Sequence, residues 1–421
     1  MTTVHLAWGQ GTRTVDLPQG IEVVDVAPEP VKASHEPLAT VARALDAPRG
    51  MPPLAELARG ARSVAIVVPD PTRPAPASVY LLPVFSRLAR AGIGPDRLRV
   101  VVARGIHAAA PREEVAALVG ADVMRTLKPI QSAPDTPELN DTIFEDERLG
   151  PVSIHRVVAA ADHVVLTGVV TRHHLAGHGG GAKSLVPGVA DRATVLAAHR
   201  LTLDALVKPD GTLRPARPDG PQPFRDALRG IAKRFGKVSM LGIVPADDGG
   251  IAAAVAGDVV EAHDEAIRLY EERYAHAHAA EPADLVLVGT PAPRDGDLVQ
   301  AHKSLLAASA YAAPGAPIVW MARAPRGAGH PELLPWFESG SLARHMAALR
   351  EQFHPYGLTA YSLRRLAKDH PVHIVSEMGR DLLRPMGLLA FGDPQKALEH
   401  ALAEATRAGR EVRRVAVLPR G

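Results

Sequence analysis

The segment HVVLTGVVTRHHLAGHGGGAKSLVPG, residues 163–188, opens as a strand and closes as a loop. Its first eight residues, His163 to Val170, are dominated by Val and Leu and read as a buried strand of a parallel sheet. The remainder therefore starts at the carboxyl end of a strand, where open α/β sheets form their ligand sites. Gly177, Gly179, Gly180, Gly181 and Gly188 remove side chains where a backbone must turn with positive φ or approach a ligand. Around them stand His173, His174 and His178, with His199 at the end of the helical run that follows. These can shuttle protons or ligate a metal near neutral pH. The loop carries a single amine, Lys183.

Outward from this segment the pattern stays α/β. Upstream, Ser63 to Val68 and Leu98 to Val102 read as parallel strands separated by a helix over Val79 to Ala91. The chain begins with a hairpin, Val4 to Trp8 and Thr12 to Leu17, and a short strand over Glu22 to Val26. Downstream come a helix within Ala190 to Leu203, a Pro/Gly-rich connection over Lys208 to Pro223, a hairpin of Val238 to Val244 with Ile251 to Val255, and a helix from Val259 to His276. From Leu285 onward β and α alternate more regularly. Two α/β domains with mainly parallel sheets are expected, residues 1–276 and 283–421, with a cofactor and substrate cleft between them. The last strand, residues 412–418, could return to the first domain.

At 421 residues the chain exceeds what one core usually organises. It has no cysteine, which excludes disulfides, zinc-thiolate sites, iron–sulfur clusters and a Cys nucleophile. The formal charge of +2 is spread along the chain without a basic block, so nucleic acid is not an expected partner. The N-terminus lacks the pattern of a signal peptide and no run is long and apolar enough for a membrane span, which leads to the expectation of a cytoplasmic protein. Only nine of the 48 basic residues are lysines. A Lys inside a glycine loop of so Arg-rich a chain suggests chemistry that needs a deprotonated amine, which guanidinium cannot supply.

Four clusters could carry chemistry. Asp70-Pro71-Thr72-Arg73-Pro74 follows the strand ending at Val68. It is either a capped, Pro-fixed turn or a clamp in which Arg73 grips a carboxylate or phosphate and Asp70 orients a neighbour. Gly105-Ile106-His107 follows the next strand; a His there is either a satisfied loop residue or a catalytic one. The central loop resembles a phosphate-binding P-loop, but Ala182 holds the final Gly position and Pro187-Gly188 follows too soon for a helix to start at Lys183-Ser184. An NTPase is rejected, while consecutive loop N–H groups remain a site for a phosphate. In the second half Gln300 and Lys303 are three apart, on one face of a helix, which would be ordinary as a solvated face. His302, His354, His370 and the His276/His278 pair have no interpretable spacing and are read mostly as surface residues.

Taken together, these clusters resemble the nickel-pincer lactate racemase family, whose members racemise or epimerise 2-hydroxy acids. The resemblance rests on Asp70-x-Thr72-Arg73-Pro74, on Gly105-x-His107, on His173 ten residues before Lys183, on the Ala176-Gly177 to Pro187-Gly188 loop, on His199 sixteen residues after Lys183, and on Gln300-x-x-Lys303. It covers nearly the whole chain. It implies a pyridinium thioamide/thiocarboxylate mononucleotide joined to Lys183 and holding nickel, with His199 as the protein ligand of the metal and Thr72, Gly179, Gly180 and Gly181 as cofactor contacts. By the same resemblance His107 and His173 are the acid/base pair on opposite faces of the substrate. Arg73, Gln300 and Lys303 hold its carboxylate and hydroxyl, and Asp70 supports one of the histidines or the arginine. Hydride would pass to the cofactor and back through a 2-oxo acid. The implied partners are a small 2-hydroxy acid and the cofactor-synthesis enzymes, and a homo-oligomer is compatible.

The chain departs from the family pattern at His178-Gly179, where Phe-Ser is common, at Phe353, where a Trp is expected, and at Val299, where an aromatic residue is expected. These positions bear on the substrate, and a larger or more polar 2-hydroxy acid is as compatible as lactate. Two other classes compete with this reading: an NAD-dependent oxidoreductase, disfavoured by the lack of Gly-x-Gly-x-x-Gly after a strand, and a non-catalytic nucleotide-binding or sensor protein, for which two bases would be superfluous.

Overall fold

A computed structural model describes residues 2–26, 30–73, 77–173, 176–203, 222–274 and 281–421. The chain divides into two compact units. Most of the 208–223 connection, His174, and the His276/His278 pair with most of the stretch between the two expected domains, 277–282, lie outside the described residues.

The unit containing the glycine loop takes described residues 30–203 and 222–274. Its six-stranded sheet has the order Ile251–Gly257, Val238–Pro245, His163–Val169, Val64–Pro69, Leu98–Ala103, Ile130–Gln131. Only the first pair, the expected hairpin, is antiparallel. Val64–Pro69 and His163–Val169 are buried along their whole length, which is why they read as continuous apolar runs without alternation. Each fully buried Val, Ile or Leu there contributes about 1.5–3 kcal/mol relative to exposure. The helices Pro37–Asp46 and Ala77–Arg90 pack on this core through Val41, Leu45, Tyr80, Leu81, Val84 and Leu88. They are joined by an ion pair, Arg87 Nη2 to Asp46 at 2.6 Å.

The strand order positions the site. From Val64–Pro69 the chain builds outward through Leu98–Ala103 to Ile130–Gln131, then returns to place His163–Val169 on the other side of its starting strand. The sheet therefore switches direction between Val64–Pro69 and His163–Val169, and a crevice forms at the carboxyl ends of strands flanking such a point. The Asp70 turn, the Gly105–His107 turn and the glycine loop issue from three adjacent parallel strands at that end.

The other unit takes described residues 2–26 and 281–421. Its six-stranded sheet is parallel throughout, in the order Leu389–Phe391, Val372–Val375, Ile318–Met321, Leu285–Val288, Arg414–Leu418, Glu22–Asp25. The hairpin Thr2–Gly9/Gly11–Leu17 adds Thr290–Pro291 in parallel and supplies Val4, Leu6, Val15 and Leu17 to the same core. This corrects the expected boundary of an N-terminal domain running from residue 1. It is the opening of the chain that crosses over, while the last strand stays beside Leu285–Val288. Local pattern identifies a hairpin but carries no information about which distant sheet its apolar face will cover. Among the described residues no helix is long and apolar enough to cross a membrane.

Candidate active site

Asp70 sits at the end of its strand with only 6% of its surface exposed. One carboxylate oxygen accepts from the Thr72 backbone N–H at 2.9 Å and from the Thr72 hydroxyl, which closes the turn. The other lies 3.0 Å from His107 Nδ1. Burial alone would push this carboxyl up, but the hydrogen bond from His107, the Arg73 charge and the Thr72 hydroxyl together hold it well below the usual range. Asp70 is thus an ionised acceptor, so His107 Nδ1 must carry the proton and His107 Nε2 the lone pair. The structure brings Asp70, Thr72, Arg73 and His107 into one group.

Lys183 joins that group electrostatically. It lies in the short turn Gly181–Ser184, partly buried, and burial together with the Arg73 charge pulls its amine down to about 7 while Asp70 opposes the shift. An ordinary lysine titrates near 10.4. Among the lysine peptides followed by mass spectrometry, amine-selective acylation of the protein as purified without cofactor is expected to label Lys183 with a rate midpoint near pH 7. A midpoint shared with the others would mean that the side chain is solvated.

The loop is held tightly. Gly180 and Gly181 have φ of +77° and +57°, and a Cβ on Gly181 would stand 2.8 Å from the His263 ring. Gly188 accepts at its carbonyl from the Gly105 N–H (2.9 Å) and the Ser132 hydroxyl (3.2 Å), tying the loop's end to the turn that carries His107. A Cβ at Gly188 would stand 2.2 Å from the Ser184 carbonyl oxygen, a backbone atom that cannot swing aside. Gly188→Ala is therefore expected to cost about 3 kcal/mol in urea unfolding; a change within experimental error would show that the loop can relax. The Gly179 N–H donates to the Thr171 carbonyl at 2.8 Å, so it is already committed within the protein.

His173 is half-buried, and its Nδ1 accepts from the Ala176 N–H at 3.3 Å. Its neutral ring therefore carries the proton on Nε2, the reverse of His107. His199, 9% exposed on the helix Arg192–Arg200, donates from Nδ1 to the Val195 carbonyl at 2.8 Å and packs 4.8 Å from the Phe224 ring. That bond fixes the tautomer with the lone pair on Nε2, the form in which imidazole ligates a metal. Gln300 and Lys303 lie in the other unit on the helix Leu298–Ser309, where Lys303 Nζ donates to Gln300 Oε1 at 2.7 Å.

Several polar residues here have partners that the sequence does not reveal. Buried His178 bonds Glu271 at 2.7 Å, and Arg172 grips the same carboxylate, so His178 anchors the loop to the helix Glu261–Tyr274. Burial would raise Glu271, but these two bonds draw it down to about 2. His263 donates to the Gly179 carbonyl at 2.9 Å, accepts from Arg229 at 3.2 Å and is lowered to about 4 by burial. Arg225 and Arg229 line one recess with Lys183 and Gly180. Reading His302 and His370 as surface residues is corrected: they are 1% and 8% exposed, with Nδ1 donating to the Val299 and Ala316 carbonyls. His354 is also largely covered, its ring 5.4 Å from Tyr356.

Residues 8–208 match the family described as the lactate racemase N-terminal domain. The chain is 26% identical over a 432-residue alignment to a lactate racemase of Thermoanaerobacterium thermosaccharolyticum, covering 100% of this chain and 98% of that one. It is 29% identical over 292 residues to a lactate racemase of Lactiplantibacillus plantarum, covering 69% and 67%. Among solved structures, the lactate racemase apoprotein from T. thermosaccharolyticum shares the fold with a TM-score of 0.83 at 23% identity, covering 100% of this chain and 98% of that one. A Thermotoga maritima protein does so at 0.68 and 14% identity, covering 93% and 97%.

Proposed function

We propose that the chain, whose residues 8–208 match the lactate racemase N-terminal domain and which is 26% and 29% identical to two lactate racemases, is an isomerase that inverts C2 of a 2-hydroxy acid, lactate or a larger one, with a nickel-pincer nucleotide joined to Lys183. The observation that carries this reading is the Lys183 amine, drawn down to about 7 beside Arg73 and Asp70. It is a nucleophile at neutral pH, as attachment of a nucleotide through an amide-type bond requires. The residues fit the group in two further respects: His199 offers Nε2 in ligating form, and the absence of cysteine is no obstacle because the nucleotide brings its own sulfur. Gly180, Gly181 and Thr72 would line the nucleotide, with Gly179 in a supporting part because its N–H is spoken for. When bound, that group would accept and return the α-hydrogen as hydride.

The protein's own residues supply the rest. His107 is set as a base at Nε2 by its bond to Asp70, ready to take the proton of the substrate hydroxyl. His173 holds its proton at Nε2 and can donate to a substrate oxygen; acting as the second base requires its bond from the Ala176 N–H to break so that the tautomer can switch. Arg73 supplies positive charge for a carboxylate and for the oxyanion that develops in the reaction. By the resemblance of the Gln-x-x-Lys spacing, Gln300 and Lys303 are assigned to the substrate's carboxylate and hydroxyl. Val299, where an aromatic residue is expected in the lactate enzyme, supports a substituent at C2 larger than methyl. Such a cofactor must come from dedicated synthesis enzymes, which are the partners this reading calls for.

The test is racemisation in D2O by protein produced together with those enzymes. Inversion of lactate or a larger 2-hydroxy acid with the α-hydrogen retained is the expected result. Deuterium washed into C2 would replace hydride transfer by proton abstraction, and no inversion of any 2-hydroxy acid by loaded protein would end the racemase reading.

A further inference from the structure

Away from the glycine loop, the described residues bring two histidines and a carboxylate together in the parallel sheet unit. His373 lies on the strand Val372–Val375, second from one edge of its sheet, with its side chain fully buried. His400 and Glu404 are one turn apart on the helix Pro394–Arg407, so they share a face. His373 Nε2 is 2.9 Å from His400 Nδ1 and 3.1 Å from Glu404 Oε2. One candidate donor atom from each residue lies within 4.8 Å of the other two.

A shared proton satisfies this arrangement poorly. His373 Nε2 can hold one hydrogen, yet two acceptors face it, and Glu404 Oε2 is buried with no hydrogen-bond partner. A buried carboxylate oxygen left so is costly. A cation at the centre would satisfy all three atoms together. In a tetrahedral site with bonds of about 2.0–2.2 Å the ligand atoms stand roughly 3.3–3.5 Å apart. The two measured separations need to widen by only a few tenths of an ångström. His400 is exposed, which leaves the fourth position to water, while the Phe391 ring stacks on His373 at 5.7 Å and walls the site on its apolar side. Two imidazoles and one carboxylate suit zinc and its neighbours over magnesium or calcium.

We propose that His373, His400 and Glu404 form a divalent transition-metal site of zinc type that clips the helix Pro394–Arg407 to its sheet. The site is separate from Lys183 and His199 in sequence and in unit, and the proposal does not depend on the racemase reading. The experiment uses the full chain, free of any affinity tag and produced without the cofactor-synthesis enzymes, stripped with chelator and then dialysed against Zn2+. About one zinc per chain by mass spectrometry of metals, with a rise in Tm, is the expected result. His400→Ala and Glu404→Gln, both at partly exposed positions on a helix, are expected to fold normally by circular dichroism, to bind at least about tenfold more weakly and to lose the rise in Tm. His199→Ala is expected to keep both. The proposal is overturned if the wild-type chain retains no zinc, or if the His400 and Glu404 variants bind it as the wild type does.

Discussion

Lys183→Ala, produced alongside the enzymes that build the nucleotide, is expected to fold, to lack the nucleotide increment in its intact mass, and to racemise at the uncatalysed background rate. Lys183→Arg is expected to fail equally, although it keeps the charge, because guanidinium does not deprotonate in a protein. An adduct that survives in Lys183→Arg would place the attachment elsewhere. The same residue makes a stability prediction of opposite sign. The folded amine titrates near 7 and an unfolded one near 10.4, so between those values the unfolded chain binds more protons and stability rises with pH. Below pH 7 the full cost of burying the charged form is present. Lys183→Met without cofactor is therefore expected to melt above wild type at pH 6, with the advantage shrinking towards pH 10. A constant difference across that range would mean that the amine keeps an ordinary pKa.

The second large effect concerns the Asp70–His107 pair. His107→Ala is expected to lower kcat of the loaded enzyme by about 10²–10⁴-fold, the usual contribution of a positioned base. Asp70→Asn tests how that base is set. The amide can turn its NH2 towards His107 Nδ1, which reverses the tautomer and moves the proton onto Nε2, the nitrogen needed as acceptor. A fall in kcat on the order of 10² or more, with KM little changed, is the expected result. Asp70→Asn with wild-type kcat would reduce the pair to a turn-closing contact, since the Thr72 bonds would survive.

The inner strands of both sheets are legible in the sequence because they are buried on both faces and therefore written as unbroken runs, Val64–Val68 and His163–Val170 above all. The loops at their ends are legible because glycines and Pro-fixed turns interrupt those runs. What is not legible depends on pairing across long separations. Nothing in residues 2–26 indicates that they join and cover a sheet whose other strands lie beyond residue 281. His178 looks like one more loop histidine until Glu271, 93 residues on, takes its Nε2. His302 and His370 look like surface residues because the groups that satisfy them are backbone carbonyls, which leave no trace in side-chain patterns. His400 and Glu404 do carry a weak signal, an i,i+4 spacing on a helix, but it acquires meaning only once His373 arrives from a neighbouring strand.

The depressed amine also bears on the life history of the chain. In an unfolded or half-folded molecule Lys183 would be an ordinary lysine, with roughly one amine in a few thousand unprotonated at pH 7; after folding, about half are. Chemistry that consumes the free amine would thus find about a thousandfold more of it on finished molecules than on nascent ones. The fold would act as its own checkpoint, reserving a costly prosthetic group for chains whose three site-bearing strands have already found one another.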